Sequence, residues 1–249
     1  MNKISKALAV AAVAVSAAYM PAAQATDVAV ELALLIDVSG SVDGTEYALQ
    51  KGGYVQAFQS ASIQNLIENF TGGKGIAVTF VEWSGAGEQA QTVGWTHLQT
   101  AADANAFAAA IAGTARQFSG LTAPGSAINF AAPLFTNSFD GRQVIDVSGD
   151  GEENDGANTA TARNNALAGG VNSINGLPIG GAGLAAWYAA NIQGGAGSFV
   201  IPANDFAAFA GAVETKIGRE ITGAPEPGSL ALAGLALAGV AGLRRKQRS

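Results

Sequence analysis

The chain has 249 residues, 49% of them hydrophobic, with no cysteine, one histidine and a formal net charge of −6. Without cysteine there are no disulfide staples, zinc–thiolate sites or cysteine nucleophiles. Residues 26 to 224 hold 18 Asp/Glu against 7 Lys/Arg, a formal charge of −11, which argues against nucleic acid or an anionic membrane surface as partner.

The first segment, residues 1–25, places Lys3 and Lys6 ahead of a short apolar stretch that ends in Ala23-Gln24-Ala25. This is the pattern of a secretory signal peptide, removed by signal peptidase to leave Thr26 as the mature start. The alternative, an N-terminal membrane anchor, is disfavoured by the short apolar stretch and the small-x-small ending. The body, 26–224, is the length of one domain.

Val28 to Ile36 is aliphatic except for Glu31, as in a strand buried on both faces. A helix with Tyr47, Val55 and Phe58 among its apolar positions follows, and Asp43 with Glu46 three residues on reads as its capping box. Residues 75–85 form a second strand and 91–98 an edge strand. Helices are expected over 102–118 and after Pro124. Residues 142–151 are a further buried strand running into a polar loop. Strands at 171–179 and 197–203 flank a helical "GLAAWYAANI", and 204–221 closes the body as a helix with Asn204 or Asp205 as N-cap. Strands alternating with helices predict a doubly wound α/β fold: a mostly parallel sheet, helices on both faces, one edge strand antiparallel. The glycine-rich 176–183 lacks the Lys-Ser/Thr of a phosphate loop and the spacing of a dinucleotide fingerprint, and reads as a strand-to-helix connection.

The last segment, 225–249, begins Pro225-Glu226-Pro227 and continues as an uncharged Ser229–Leu243, followed by Arg244, Arg245, Lys246 and Arg248. Fifteen helical residues reach about 22 Å, less than the roughly 30 Å hydrocarbon core, and snorkelling basic side chains offset part of the mismatch. In this order the tail resembles the PEP-CTERM sorting signal of Gram-negative bacteria. The resemblance implies transient membrane insertion of a short transmembrane helix, cleavage by an exosortase-type protease, and a destination at the cell surface or in the extracellular matrix. A plain tail anchor is the alternative, and it too gives an exported protein.

"LLIDVSGSVDG" (34–44) leaves the first strand with Asp37, Ser39 and Ser41 at alternating positions. Such a run is either a turn with a helix cap or a set of oxygen ligands. In a doubly wound sheet, ligands bind beyond the carboxyl ends of the strands. Two further loops reach that edge, 119–128 with Thr122 and 146–154 with Asp150. Two carboxylates and three hydroxyls are hard donors that suit Mg²⁺, Mn²⁺ or Ca²⁺ rather than zinc or copper. Two carboxylates neutralise a divalent ion and leave it able to accept an outside oxygen, such as a partner's Asp or Glu carboxylate.

With those five positions the body resembles a von Willebrand factor type A (vWA) domain, whose metal-ion-dependent adhesion site is Asp-x-Ser-x-Ser plus a distant Thr and a distant Asp. "VELALLIDVSGSVDGTEYALQ", "VEWSG", "RQVIDVSGDGEENDG", "INGLPI" and "FAAFAGAVETKIGREI" further resemble a bacterial branch of unassigned function. The resemblance implies Ser39, Ser41 and Thr122 as ligands, direct or through water, with Asp37 and Asp150 direct or behind them, Mg²⁺ first among the ions, and a role in binding proteins.

Glu152, Glu153 and Asp155 crowd the rim near Asp150 and would repel an incoming carboxylate within a Debye length of about 8–10 Å, hold a second cation, or form a solvated loop. His97 lies on the edge strand away from these loops, and there is no Gly-x-Ser-x-Gly elbow to complete a triad. Trp83, Trp95 and Trp187 read as packing residues, and Arg142 and Arg163 are too few for an anion site. Three functions remain: an exported, metal-dependent protein-binding module; a metal-dependent hydrolase with Glu152 or Glu153 as base; and a structural matrix component with a stabilising metal. The first is expected, without catalysis.

Overall fold

The computed structural model describes residues 25–223. The expected signal peptide (1–25, all but its last residue) and the residues from 224 on, with the proline motif and the expected short transmembrane helix, lie outside the described residues. Among the described residues no helix is long and apolar enough to cross a membrane.

Strand β1 (Thr26–Asp37) is buried from Val30 to its end, and the reason is its position in the sheet. It pairs in parallel with β2 (Ile76–Trp83) on one side and β4 (Phe139–Gly149) on the other. Strand β3 (Gln89–Leu98) adds antiparallel to β2, and β5 (Ser173–Pro178) parallel to β4. With the two-residue β6 (Gly194–Gly195) the order is β3-β2-β1-β4-β5-β6. The expected doubly wound, mostly parallel sheet with an antiparallel edge is the observed one.

Period-two alternation divides β1 between two cores. Val30, Leu32, Leu34 and Ile36 face α1 (Gly44–Gln59), α3 (Ala101–Ala112) and α7 (Phe209–Thr222), where Tyr54, Phe58, Phe107 and Phe209 pack edge to face. Ala33 and Leu35 face α4 (Pro124–Ala131), α5 (Thr159–Ala168) and α6 (Ala182–Asn191). A short α2 (Ala61–Asn65) precedes β2. The capping box of α1 is formed: Asp43 Oδ1 accepts from the amides of Thr45 and Glu46, and Glu46 Oε2 accepts from the Asp43 amide.

Four expected elements differ in extent. The helix expected over 102–118 ends at Ala112, because the following residues are held by tertiary bonds instead: Glu82 Oε2 accepts from the Gln117 amide and Arg116 reaches back to β1's loop. The strand expected over 171–179 begins at Ser173. Residues 197–203 are no regular strand; they touch β5 only through isolated parallel bridges, Gly176 to Val200 and Ile179 to Ala203. Pro178 and Pro202 each remove a ladder donor there. The closing helix starts at Phe209, and Asp205 instead accepts from the Ala208 amide in a preceding turn.

Candidate metal centre

The strand order reverses direction between β1 and β4: from β1 the chain winds outward to β2, from β4 outward to β5. The loops leaving these neighbours therefore diverge to opposite faces and open a crevice at their carboxyl ends. Asp37 is the last residue of β1 and Asp150 directly follows Gly149, the last of β4, so both carboxylates stand at that crevice.

The turn after β1 is built by its own side chain. Asp37 Oδ1 accepts from the Ser39 amide at 2.8 Å, turning the chain so that Ser39 and Ser41 lie 3.1 Å apart, Oγ to Oγ. Ser41 Oγ donates to Asp150 Oδ1 at 2.7 Å. Gly40 permits the third loop to close in. Its amide donates to the Gly120 carbonyl (2.8 Å), and a Cβ there would stand 3.1 Å from the Ser119 carbonyl oxygen. Thr122 is held by Asn154, whose side chain accepts from its amide and whose amide donates to its carbonyl. Its hydroxyl lies against Gly151, where a Cβ would be 3.5 Å from Thr122 Oγ1. All five sequence-predicted positions thus meet at one crevice, four of them in a single hydrogen-bonded chain. Asp37, Ser39 and Thr122 are buried, whereas Ser41 is exposed.

Several residues that position this crevice carry no motif. Arg116 donates to the carbonyls of Val38, Ser39 and Phe118. Ser84 Oγ accepts from the Gly120 amide and donates to the Leu121 carbonyl. Glu82, fully buried, accepts from Tyr47 and from the Gln117 amide. Of the acidic rim, Glu153 accepts from the amide and hydroxyl of Thr159 at the start of α5, and Asp155 from the Ala86 amide. Glu152 is exposed, and Glu153 and Asp155 are half-buried. His97 sits on the β3 edge against the Lys74 carbonyl, far along the sheet from the crevice.

Electrostatically, no cationic side chain meets either carboxylate directly among the ion pairs of the described residues; Arg116 is engaged by backbone carbonyls. Burial pushes Asp37 up to about 7, opposed by hydrogen bonding from Ser39 and the Asp150 amide and reinforced by the Asp150 charge. Burial also raises Asp150, opposed by Ser41 and reinforced by Glu46. Asp37 Oδ2 is buried with no hydrogen-bond partner, an arrangement costly for a carboxylate unless a cation or donor meets it. Among the described residues no three His/Asp/Glu gather as a metal cage. The available donors are two carboxylates and three hydroxyls, an all-oxygen set that fits a hard divalent cation.

A family model described as a protein of unknown function, DUF1194, matches residues 27–225. The chain belongs to the DUF1194 family. A PEP-CTERM protein-sorting motif matches residues 224–246 of this DUF1194 protein, which marks it for export and the cell surface. No curated protein sequence matches it. Among solved structures it is similar to proximal thread matrix protein 1 from the mussel byssus, at 17% identity and a TM-score of 0.55, over 79% of this chain and 46% of that one. It is similar to the pilus adhesin SpaC of Lactobacillus rhamnosus GG, at 14% identity and a TM-score of 0.56, over 78% of this chain and 30% of that one. An aerotolerance-related membrane protein from Bacteroides fragilis matches at 18% identity and a TM-score of 0.54, over 78% of this chain and its whole length. A von Willebrand factor type A protein from Catenulispora acidiphila is a further match, with a TM-score of 0.53. The fold is that of a vWA domain. The DUF1194 chain spans less than half the length of the mussel protein first named.

Proposed function

We propose that this protein is an exported surface module that binds another protein through a divalent cation. Asp37, Ser39, Ser41, Thr122 and Asp150 would hold the cation, and residues 1–25 and 225–249 would be removed to leave a free domain of 26–224. The observation that carries the reading is the buried Asp37 Oδ2 without a partner, within a hydrogen-bonded set of hard oxygens at the strand-order reversal. When bound, the cation supplies an electrophilic position facing solvent, which suits an Asp or Glu carboxylate of the partner. The chain's own residues orient that position: Ser41 and Asp150 lie on its open side, while Asp37 and Ser39 are closed off beneath it. Mg²⁺ is the favoured ion, with Mn²⁺ and Ca²⁺ next. A form of the mussel matrix protein is described with a zinc-occupied adhesion-site motif, so the oxygen set alone does not exclude zinc.

A binding role is supported over hydrolysis by the rim. Glu153, one of two candidate bases, is spent on Thr159, and Arg116, the cation nearest the turn, is engaged by three backbone carbonyls. The test is calorimetric titration of the full-length protein with Mg²⁺, Mn²⁺, Ca²⁺ and Zn²⁺, wild type against Asp37→Ala. Saturable binding that disappears in the variant is expected. Equal binding by both places the ion elsewhere and removes the basis of the reading.

A further inference from the structure

Two buried oxygens at this centre face one another across a glycine. Tyr188, from α6, is fully buried and packs among Ala33, Leu35, Val147 and Ile174. A phenylalanine would fill that apolar site equally well, so its hydroxyl is the part that calls for a cause. Buried tyrosine hydroxyls ordinarily find a partner. Here Tyr188 Oη has none, and neither has Asp37 Oδ2.

The two atoms converge on one point. Asp37 ends β1 beside Gly149 of β4, since Ile36 pairs with Ser148. A Cβ on Gly149 would lie 2.6 Å from Asp37 Oδ2 and 2.8 Å from Tyr188 Oη. The two oxygens are therefore at most two hydrogen-bond lengths apart, and any side chain at 149 would press on both. Two unpaired oxygens within that reach can share a single water seated beside the Gly149 backbone, which accepts from the hydroxyl and donates to the carboxylate. Buried waters are retained where polar atoms would otherwise be unpaired.

We propose that Tyr188 is a positioning residue for Asp37: through one water over Gly149 its hydroxyl holds Oδ2, while Ser39 holds Oδ1. The carboxylate is then fixed from both ends, and α6 is tied to the crevice on the side opposite α1. The contact itself stands on geometry alone, and its consequence for metal binding rests on the function proposed above. Outer partners of ligating groups typically govern about 10–100-fold in metal affinity.

Two measurements on the full-length protein keep contact and consequence apart. In chelator, urea midpoints are compared for wild type, Tyr188→Phe, Asp37→Ala and the double variant, a cycle that isolates the pairwise interaction. The expected result is that Tyr188→Phe shifts the midpoint in the wild-type background and leaves it in place in the Asp37→Ala background. Equal shifts in both backgrounds overturn the contact. Titration with Mn²⁺ is then expected to show about 10–100-fold weaker binding by Tyr188→Phe, with circular dichroism unchanged. A coupled cycle with unaltered Mn²⁺ affinity overturns the positioning role. A coupled cycle in a protein that binds no Mn²⁺ upholds the contact and sinks the metal reading instead.

Discussion

Asp37 makes the stability of the metal-stripped protein depend on pH in a direction opposite to that of a salt-bridged carboxylate. Its folded value is about 7 against an ordinary 3.8, so the folded state binds this proton more tightly than the unfolded chain does. Stability from this group is greatest below pH 3.8 and is lost as pH rises through 7. About three pH units at 1.36 kcal/mol each amount to roughly 4 kcal/mol for this fully buried group. A bound dication cancels the penalty, because the ionised form then has a partner. The assay is urea denaturation between pH 5 and 8 in chelator and in Mg²⁺, on wild type and Asp37→Asn. Wild type in chelator should weaken by up to about 1.4 kcal/mol per pH unit towards pH 7, more steeply than Asp37→Asn. Mg²⁺ at a hundredfold excess over its dissociation constant should add about 2.7 kcal/mol at pH 8 and much less at pH 5, where it must displace the proton. Identical pH slopes for wild type and Asp37→Asn in chelator would refute the account.

Lys216, fully buried on α7, lies 2.5 Å from Asp146 and 2.6 Å from Glu220; Lys216→Met strands two buried carboxylates and should cost about 3–5 kcal/mol in urea denaturation. Arg116→Ala releases three backbone carbonyls around the Asp37 turn, at about 1.5–3 kcal/mol for a charged donor. It should weaken Mn²⁺ binding with the fold intact by circular dichroism. Glu153→Gln loses a charged acceptor at the start of α5 and should cost about 1 kcal/mol, whereas Glu152→Gln, exposed, should stay within about 0.5 kcal/mol; equal costs would put both side chains in the same environment.

The aliphatic run of β1, the Asp43–Glu46 box and the alternation at Asp37, Ser39 and Ser41 were legible because each is a local pattern with a local physical cause. Thr122 and Asp150 followed once parallel strands placed their loops at one edge. What sequence did not show is how far elements extend where tertiary bonds compete with propensity. Residues 113–118 continue a helical composition, yet Glu82 and the carbonyls of Val38 and Ser39 draw Arg116 and Gln117 out of the helix. Ser84, Asn154 and Tyr188 lie 32 or more positions from the residues they serve or face, and no spacing rule links them. The one signal available was Gly149: a glycine ending a buried strand beside a candidate ligand marks a close approach.

The acidic rim bears on what partner can approach. Read as sequence, Glu152, Glu153 and Asp155 beside Asp150 are a repulsive cluster on a body already at −11. In the fold two of the three accept from the Thr159 and Ala86 amides, so they are engaged by donors of the protein itself. The same bonds pin the loop that carries Asp150 and Asn154, and Asn154 pins Thr122. The carboxylates that seemed to oppose an incoming acid therefore act as fasteners for the site that would receive it. Exposed Leu121, clamped by Ser84 on one side and adjoining Thr122 on the other, leaves an apolar contact next to that mouth.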